Sequence, residues 1–263
     1  WMNRATQFCP RGKFIHVGRL GGYYDLKYYR HCDHLVGNTQ DIVDHVLARG
    51  WPAGRAHHVP NFVTETRSPP IDRAEHDTPE TSPLILALGR LHPNKAFDVL
   101  LQAMTQVPEA TLWIAGDGPL RSELEAMAER LTIRSRVRFL GWRDDVPALL
   151  ATADVFVCPS RHEPLGNVVL EAWAQGLPVV AADSIGPAKL IRDGVNGVLV
   201  PVDDATALGQ ALGRVLRESD LAHHIAEEGR KTFQEHFTEA VVIAQYQAFF
   251  ERIRAGCAES RAL

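Results

Sequence analysis

Cysteine is scarce in this sequence: Cys9, Cys32, Cys158 and Cys257 stand far apart and form no C-x-x-C pair. Neither a disulfide framework nor a zinc site is therefore indicated, and a reducing compartment suits the chain. His31 and His34, with Cys32 and Asp33 between them, have the chemistry of metal ligands, but no further matched ligand accompanies them, so the two are read as ordinary surface histidines and no metal is expected. A run of about 18 apolar residues is missing, which leaves no membrane-spanning helix to predict. The first residues lack the charged-then-apolar pattern of an export signal. The expected location is the cytoplasm, with peripheral association at the inner face of the cell membrane left open. Positive charge is not in excess either: 28 Lys+Arg against 32 Asp+Glu give −4, a poor balance for neutralising nucleic-acid phosphates, so no nucleic-acid partner is expected. The G-x-G-x-x-G fingerprint is also missing, which disfavours an ordinary dehydrogenase.

What is present is a chain of 263 residues, 45% hydrophobic, enough to bury a large domain plus a smaller one or a fragment. The charge divides it. Up to Pro60 there are eight Lys/Arg and four Asp/Glu, or +4, leaving −8 for the remainder. Two regions with different partners are implied. The sequence opens on Trp1 in what reads as the middle of an α/β unit, so a missing beginning is expected. Residues 1–63 carry apolar runs at Phe14–Val17, His34–Gly37 and His58–Val63 with helix-like segments between, an αβαβ pattern too short for a closed domain. Residues 64–82, polar and proline-rich, read as a linker. From 83 to 235 short β-branched runs (LILALG, ATLWIAG, VRFLG, DVFVCP, LPVVAA, VNGVLVP) alternate with amphipathic segments of roughly ten residues. That alternation predicts an α/β domain with a doubly wound, mostly parallel sheet. The end has helical periodicity only, and 236–263 is expected to form a helix packing back toward the first domain.

In a doubly wound sheet ligands bind beyond the carboxyl ends of the strands, so polar residues just after each apolar run matter most. Arg90 leaves the first strand of the large domain after Gly89, and Lys95 opens the next helix. A guanidinium fork and an ammonium point charge there suit a diphosphate, although two solvated cations would look the same. Gly116 and Gly118 flank a strand-to-helix turn, where they allow close backbone approach or simply a tight turn. The most informative stretch is HEPLGNVVLE. Gly166 and Asn167 begin a helix whose free N–H groups can hold phosphate. Glu163 lies before that helix and Glu171 one turn inside it, where a carboxylate can accept bonds from a diol or merely complement the helix dipole. Asp183-Ser184-Ile185-Gly186-Pro187 could wall the same pocket.

The spacing of Glu163 and Glu171, the preceding Pro159-Ser160 and the following EAWAQGLPVVA, together with GRLHPNK, IAGDGP, FLGW and DGVNGVLVPVDD in that order, resemble glycosyltransferase family 4, the group 1 glycosyltransferases of GT-B fold, over roughly Val59 to Leu216. The resemblance implies two Rossmann-like domains, the second binding a nucleotide-sugar donor and the first, here a partial α/β segment, binding the acceptor. It implies that Arg90 and Lys95 hold the donor diphosphate in place of a metal, and that Glu163 binds the hydroxyls of the transferred sugar. By the same resemblance Glu171 binds the ribose, backbone groups of Gly166, Asn167 and Val168 hold sugar or phosphate, and Arg138, Phe139 and Leu140 lie against the base. Arg90, Lys95 and Glu163 are the residues it places at the chemistry, with Gly89, Gly116 and Gly118 in the donor loops. It implies transfer with retention of anomeric configuration, no cofactor, and a saccharide or lipid-linked acceptor. An anionic acceptor, such as a lipopolysaccharide core, suits the basic first region. Departures are visible: Ala96 stands where the family usually has glycine, Lys189 where a glutamate is common, and the place of a family histidine falls near Arg19, in the unusual segment GRLGGYY. The alternatives are a chain that binds a nucleotide sugar without catalysis, and a nucleotide-sugar epimerase of the same architecture.

Overall fold

The computed structural model describes residues 3–10 and 12–259; Trp1, Met2, Arg11 and residues 260–263, parts of the two terminal segments delimited above, lie outside them. Among the described residues the chain divides into two units, one made of the residues up to Phe62 and from Glu239 on, the other of Val63–Thr238.

The first unit holds a three-stranded parallel sheet in the order β1 (Val17–Leu20), β2 (His34–Gly37), β3 (Ala56–His58). A short helix α1 (Asn3–Gln7) precedes it, and α2 (Gln40–Ala48) joins β2 to β3. Thr39 caps α2 by accepting from the Ile42 N–H, and Ile42, Val43 and Val46 are the buried side of its apolar face. The first apolar run was expected at Phe14–Val17, but the strand begins only at Val17. Phe14 is 51% exposed, and it is pairing with His34–Gly37 that fixes the register from Val17 to Leu20. The terminal helix α10 (Glu239–Glu259) belongs to this unit, with Val242, Phe249 and Ile253 buried against Val36 and Val59.

The second unit is a six-stranded parallel sheet. Its strands are β4 (Leu84–Leu88), β5 (Thr111–Ala115), β6 (Val137–Gly141), β7 (Val155–Cys158), β8 (Val179–Ala182) and β9 (Val198–Val200). They lie in the order β6-β5-β4-β7-β8-β9. The helices α3 (Phe97–Ala103), α4 (Arg121–Arg130), α5 (Val146–Thr152), α6 (Asn167–Gln175) and α7 (Ile185–Leu190) each follow a strand. After β9 come α8 (Ala205–Arg217) and α9 (Ser219–His236). β4 and β5 are buried at every position, as the central strands of a sheet covered on both faces must be. Two apolar clusters, one containing Ile85, Leu112 and Val157, the other Leu86, Trp113 and Phe156, fill the two faces. Strand order reverses between β4 and β7, the position where such sheets open a ligand crevice.

Residues 64–82 are not a free linker. Val63 and Ile71 pack on the second cluster, the Ile71 N–H donates to Thr152 Oγ1 at 2.9 Å, and Arg73 donates to Thr152 O at 2.7 Å and pairs with Asp154. Thr78, buried, accepts from the Trp113 indole at 2.8 Å. A composition that looks unstructured is thus tied down by a few polar anchors which hydrophobic periodicity cannot register.

Candidate active site

The loops after β4 and β5 are laid one on the other. Gly89 N–H donates to Ala115 O at 3.0 Å, Leu91 N–H to Asp117 O at 3.0 Å, and Leu120 N–H to Leu91 O at 3.2 Å. Gly118 has no room for a side chain, because a Cβ there would stand 2.4 Å from Leu91 O. Gly116 is closed in the same way by Gly89. The two glycines therefore serve loop-on-loop packing, and what they position is the segment from Gly89 to Lys95.

Arg90 is exposed and makes no ion pair or side-chain hydrogen bond among the described residues. After it His92 accepts from the Asn94 N–H, opening a 3-10 turn over Pro93–Lys95. Ala96 closes that turn in the left-handed region at φ +52° although fully buried, a conformation glycine would adopt without strain. The Lys95 side chain folds back over Gly89, where a Cβ would meet Lys95 Cε at 3.0 Å, and its Nζ forms an ion pair with Glu163 Oε2.

Glu163 is buried in the loop between β7 and α6. That loop is pinned on both sides: His162 N–H donates to Asn94 O at 3.2 Å and Gly186 N–H donates to Glu163 O at 2.7 Å. Gly186 must be small, since its Cβ would stand 2.5 Å from Glu163 O. Gly166, at φ +69°, turns the chain into α6, and no side chain caps that helix. Its first-turn N–H groups and the positive end of its dipole thus face the same crevice as Lys95. Val168 and Asn167 form the first turn. Glu171 lies one turn in. Burial, and next the charge of Glu163, push its carboxyl above the ordinary glutamate range, while Lys95 pulls the other way. Glu163, Glu171 and Lys95 therefore share one electrostatic neighbourhood.

Sequence reasoning missed Arg161. Its guanidinium forks onto Asp98 at 2.9 and 2.6 Å, donates to Pro93 O at 2.8 Å and meets Asp203 at 2.5 Å. It ties the loop carrying Glu163 to the turn carrying Lys95. The one signal available was a cation two residues before Glu163, and nothing in the spacing names its three partners.

Arg138 requires a correction. As the second residue of β6 it lies at the strand's amino end, and its guanidinium donates to His76 O, Asp77 O and Ser135 O at 2.8, 2.5 and 2.8 Å. That leaves it fastening the segment before β4, away from the carboxyl ends. Phe139 packs on one apolar cluster and Leu140 on the other. Ser184 Oγ is buried without a hydrogen-bond partner among the described residues, at the start of α7 beside the Gly186–Glu163 contact.

A cavity of about 860 Å³ lies elsewhere, at the amino ends of β1–β3, with His16, Cys32, Asp33, Arg55 and His57 among its walls. Arg55 is consumed there by Cys32 O and Asp33 O. No group of three or more His, Cys, Asp or Glu residues among the described residues is placed to hold a metal ion, and no helix among them is long and apolar enough to cross a membrane. The charge convergence and the strand-order reversal direct attention to the crevice between β4 and β7 instead.

Comparison with known proteins identifies the family. A family model described as "Glycosyl transferases group 1" matches residues 69–232, which include the Lys95, Glu163 and Glu171 cluster. The chain is 39% identical to the lipopolysaccharide core biosynthesis glycosyltransferase LpsE of Rhizobium meliloti, over 94% of this chain and 73% of LpsE. It is 33% identical to LpsD of the same organism, over 96% of this chain and 74% of LpsD. Among solved structures it is similar to Anabaena Alr3699/HepE in complex with UDP and glucose, with a TM-score of 0.82 at 23% identity, covering 90% of this chain and 71% of that one. It is also similar to WaaG, a glycosyltransferase involved in lipopolysaccharide biosynthesis, with a TM-score of 0.71 at 25% identity, covering 83% and 65%. Fold, motif positions and these matches agree: the chain belongs to the group 1 glycosyl transferases and is a glycosyltransferase of the GT-B fold.

Proposed function

We propose that the chain transfers a sugar from a nucleotide-sugar donor to a saccharide or lipid-linked acceptor, with retention of anomeric configuration and without a metal. The observation that carries this reading is the convergence of Lys95, Glu163 and Glu171 on the uncapped start of α6. Lys95 is held in place by Glu163 before any ligand arrives. A donor diphosphate would take over Lys95 and Arg90 as its cations and the α6 N–H groups as donors, so charge compensation needs no divalent ion. Glu163, released from Lys95, becomes an acceptor for hydroxyls of the transferred sugar, and Glu171 for those of the ribose. As the acceptor hydroxyl attacks the anomeric carbon, the bond from that carbon to the phosphate oxygen breaks. The hydroxyl proton passes to the departing phosphate on the same face, which gives retention. The cations stabilise the negative charge that develops there.

UDP is the first nucleotide to test, because Alr3699/HepE was solved with UDP and glucose. The lipopolysaccharide core relatives and the +4 charge up to Pro60 support an anionic, lipid-linked acceptor, with peripheral contact to a membrane as its setting. The test is a transfer assay with UDP-, GDP- and ADP-sugars in EDTA, lipopolysaccharide core as acceptor, and product stereochemistry read by NMR. A product with the donor's anomeric configuration supports the reading. An inverted product or a requirement for magnesium contradicts it, and donor binding without any transfer favours a binding chain.

A further inference from the structure

The carboxyl ends of β1, β2 and β3 carry a second polar cluster, wholly within the first unit, which none of the roles above uses. Arg19 in β1 donates from Nε to Tyr246 OH at 2.7 Å and from Nη2 to Asn61 Oδ1 at 2.5 Å. Asn38, just after β2, donates from Nδ2 to the same Asn61 oxygen at 3.4 Å. Arg19 is half-buried, yet both partners are neutral and it forms no ion pair among the described residues. Its Nη1 has no hydrogen bond among them. A guanidinium withdrawn from water normally finds a carboxylate, because neutral acceptors only partly offset its desolvation. Asn38 is 5% exposed and its Oδ1 is buried with no hydrogen-bond partner among the described residues, whereas buried polar atoms are nearly always hydrogen-bonded. A cation without an anion and an acceptor without a donor thus sit on one asparagine, at the edge where parallel sheets bind ligands. Gly21 and Gly22 follow directly, and a Cβ on Gly21 would stand 3.5 Å from Asn38 Nδ2, an ordinary van der Waals contact.

We propose that Arg19, steadied by Tyr246, Asn61 and Asn38, recognises an oxyanion, a carboxylate or a phosphate, on the acceptor saccharide. Arg19 supplies its Nη1 edge to the anion, and the cluster supplies asparagine groups to an adjoining hydroxyl. The inference rests on the glycosyltransferase reading above, for which it names the acceptor chemistry.

The test is an NMR titration of the chain with D-glucuronate, D-glucose 6-phosphate and D-glucose, with UDP titrated into the same samples. Both anionic sugars are expected to bind at least about tenfold more tightly than glucose, the worth of one charge-assisted hydrogen bond. If only one of them does, the source of the oxyanion is thereby identified. Arg19→Gln leaves Tyr246 and Asn61 without their donor and can disturb the fold. Asn38→Asp is therefore the sharper variant: it keeps the shape, places a carboxylate beside Arg19 and should abolish the preference for anionic sugars. Equal binding of the three sugars, or a folded Asn38→Asp chain that keeps the preference, overturns the proposal. UDP binding without anionic preference counts against the Arg19 cluster alone. Loss of UDP binding with the preference intact counts against the donor site alone.

Discussion

Gly116 and Gly89 meet backbone to backbone: a Cβ on Gly116 would stand 1.9 Å from the Gly89 carbonyl oxygen, and Gly116 has a φ of +145°. Gly116→Ala must both adopt a backbone conformation that L-residues avoid and push away the loop that leads to Lys95. The expected cost is about 2–4 kcal/mol of stability, strain and overpacking together, with weakened nucleotide-diphosphate binding. Denaturant unfolding checks it, and a loss below about 1 kcal/mol would show that the two loops separate freely.

Glu171 gives a pH dependence of defined sign. Its folded-state carboxyl is held above the ordinary glutamate value by burial and by Glu163. The folded chain therefore binds more protons than the unfolded one in that window, and this residue's contribution to stability falls as pH rises through the folded value. Glu171→Gln removes the term. The variant is expected to gain stability relative to the parent from pH 4 toward pH 7, while losing affinity for nucleotides. Paired unfolding curves across that range decide it; a stability difference that shrinks with rising pH contradicts the assignment.

Arg161 is expected to matter more for the site than for the fold. Its ion pairs with Asp98 and Asp203 are partly exposed, so Arg161→Lys should cost only about 1 kcal/mol of stability. Lysine cannot reproduce the fork on Asp98 together with the bond to Pro93 O, so the Glu163 loop loses its tie to the Lys95 turn. Nucleotide-sugar binding should fall several-fold while nucleoside binding stays. Equal changes in both would make Arg161 a general stabiliser.

Ala96 tests a departure that was visible in the sequence. Glycine would relieve the strain at φ +52° but empty the volume of a buried methyl, worth about 0.8 kcal/mol, so Ala96→Gly should stay within about 1 kcal/mol of the parent. Ala96→Val, β-branched in a left-handed conformation, should cost several times more. Melting temperatures of the two variants provide the comparison.

The parallel sheet of the second unit was legible because β4, β5 and β7 are nearly pure apolar runs between turn residues. Lys95, Glu163, Gly166 and Glu171 stood out because each follows such a run. What stayed hidden depends on contacts between distant parts of the chain. Arg161 meets Pro93, Asp98 and Asp203, each at least forty residues away in number, and no periodicity records that. Arg138 was placed against the base by resemblance alone, but its side chain turns to carbonyls of the segment before β4. That segment looked unstructured because its anchors are single polar residues, Arg73 and Thr78, rather than an apolar stripe. The start of β1 shifted because pairing with β2, and not the hydrophobicity of Phe14 and Ile15, sets the strand.

The most direct test of the donor site is calorimetric titration of UDP and of uridine into the parent chain, Arg90→Ala and Lys95→Ala, all in EDTA. UDP is expected to bind the parent without metal and to lose at least about tenfold in affinity in each variant, with uridine binding unchanged, since each substitution removes a charge-assisted bond to phosphate. UDP affinity that is the same in all three chains, or that appears only when magnesium replaces EDTA, would contradict the account.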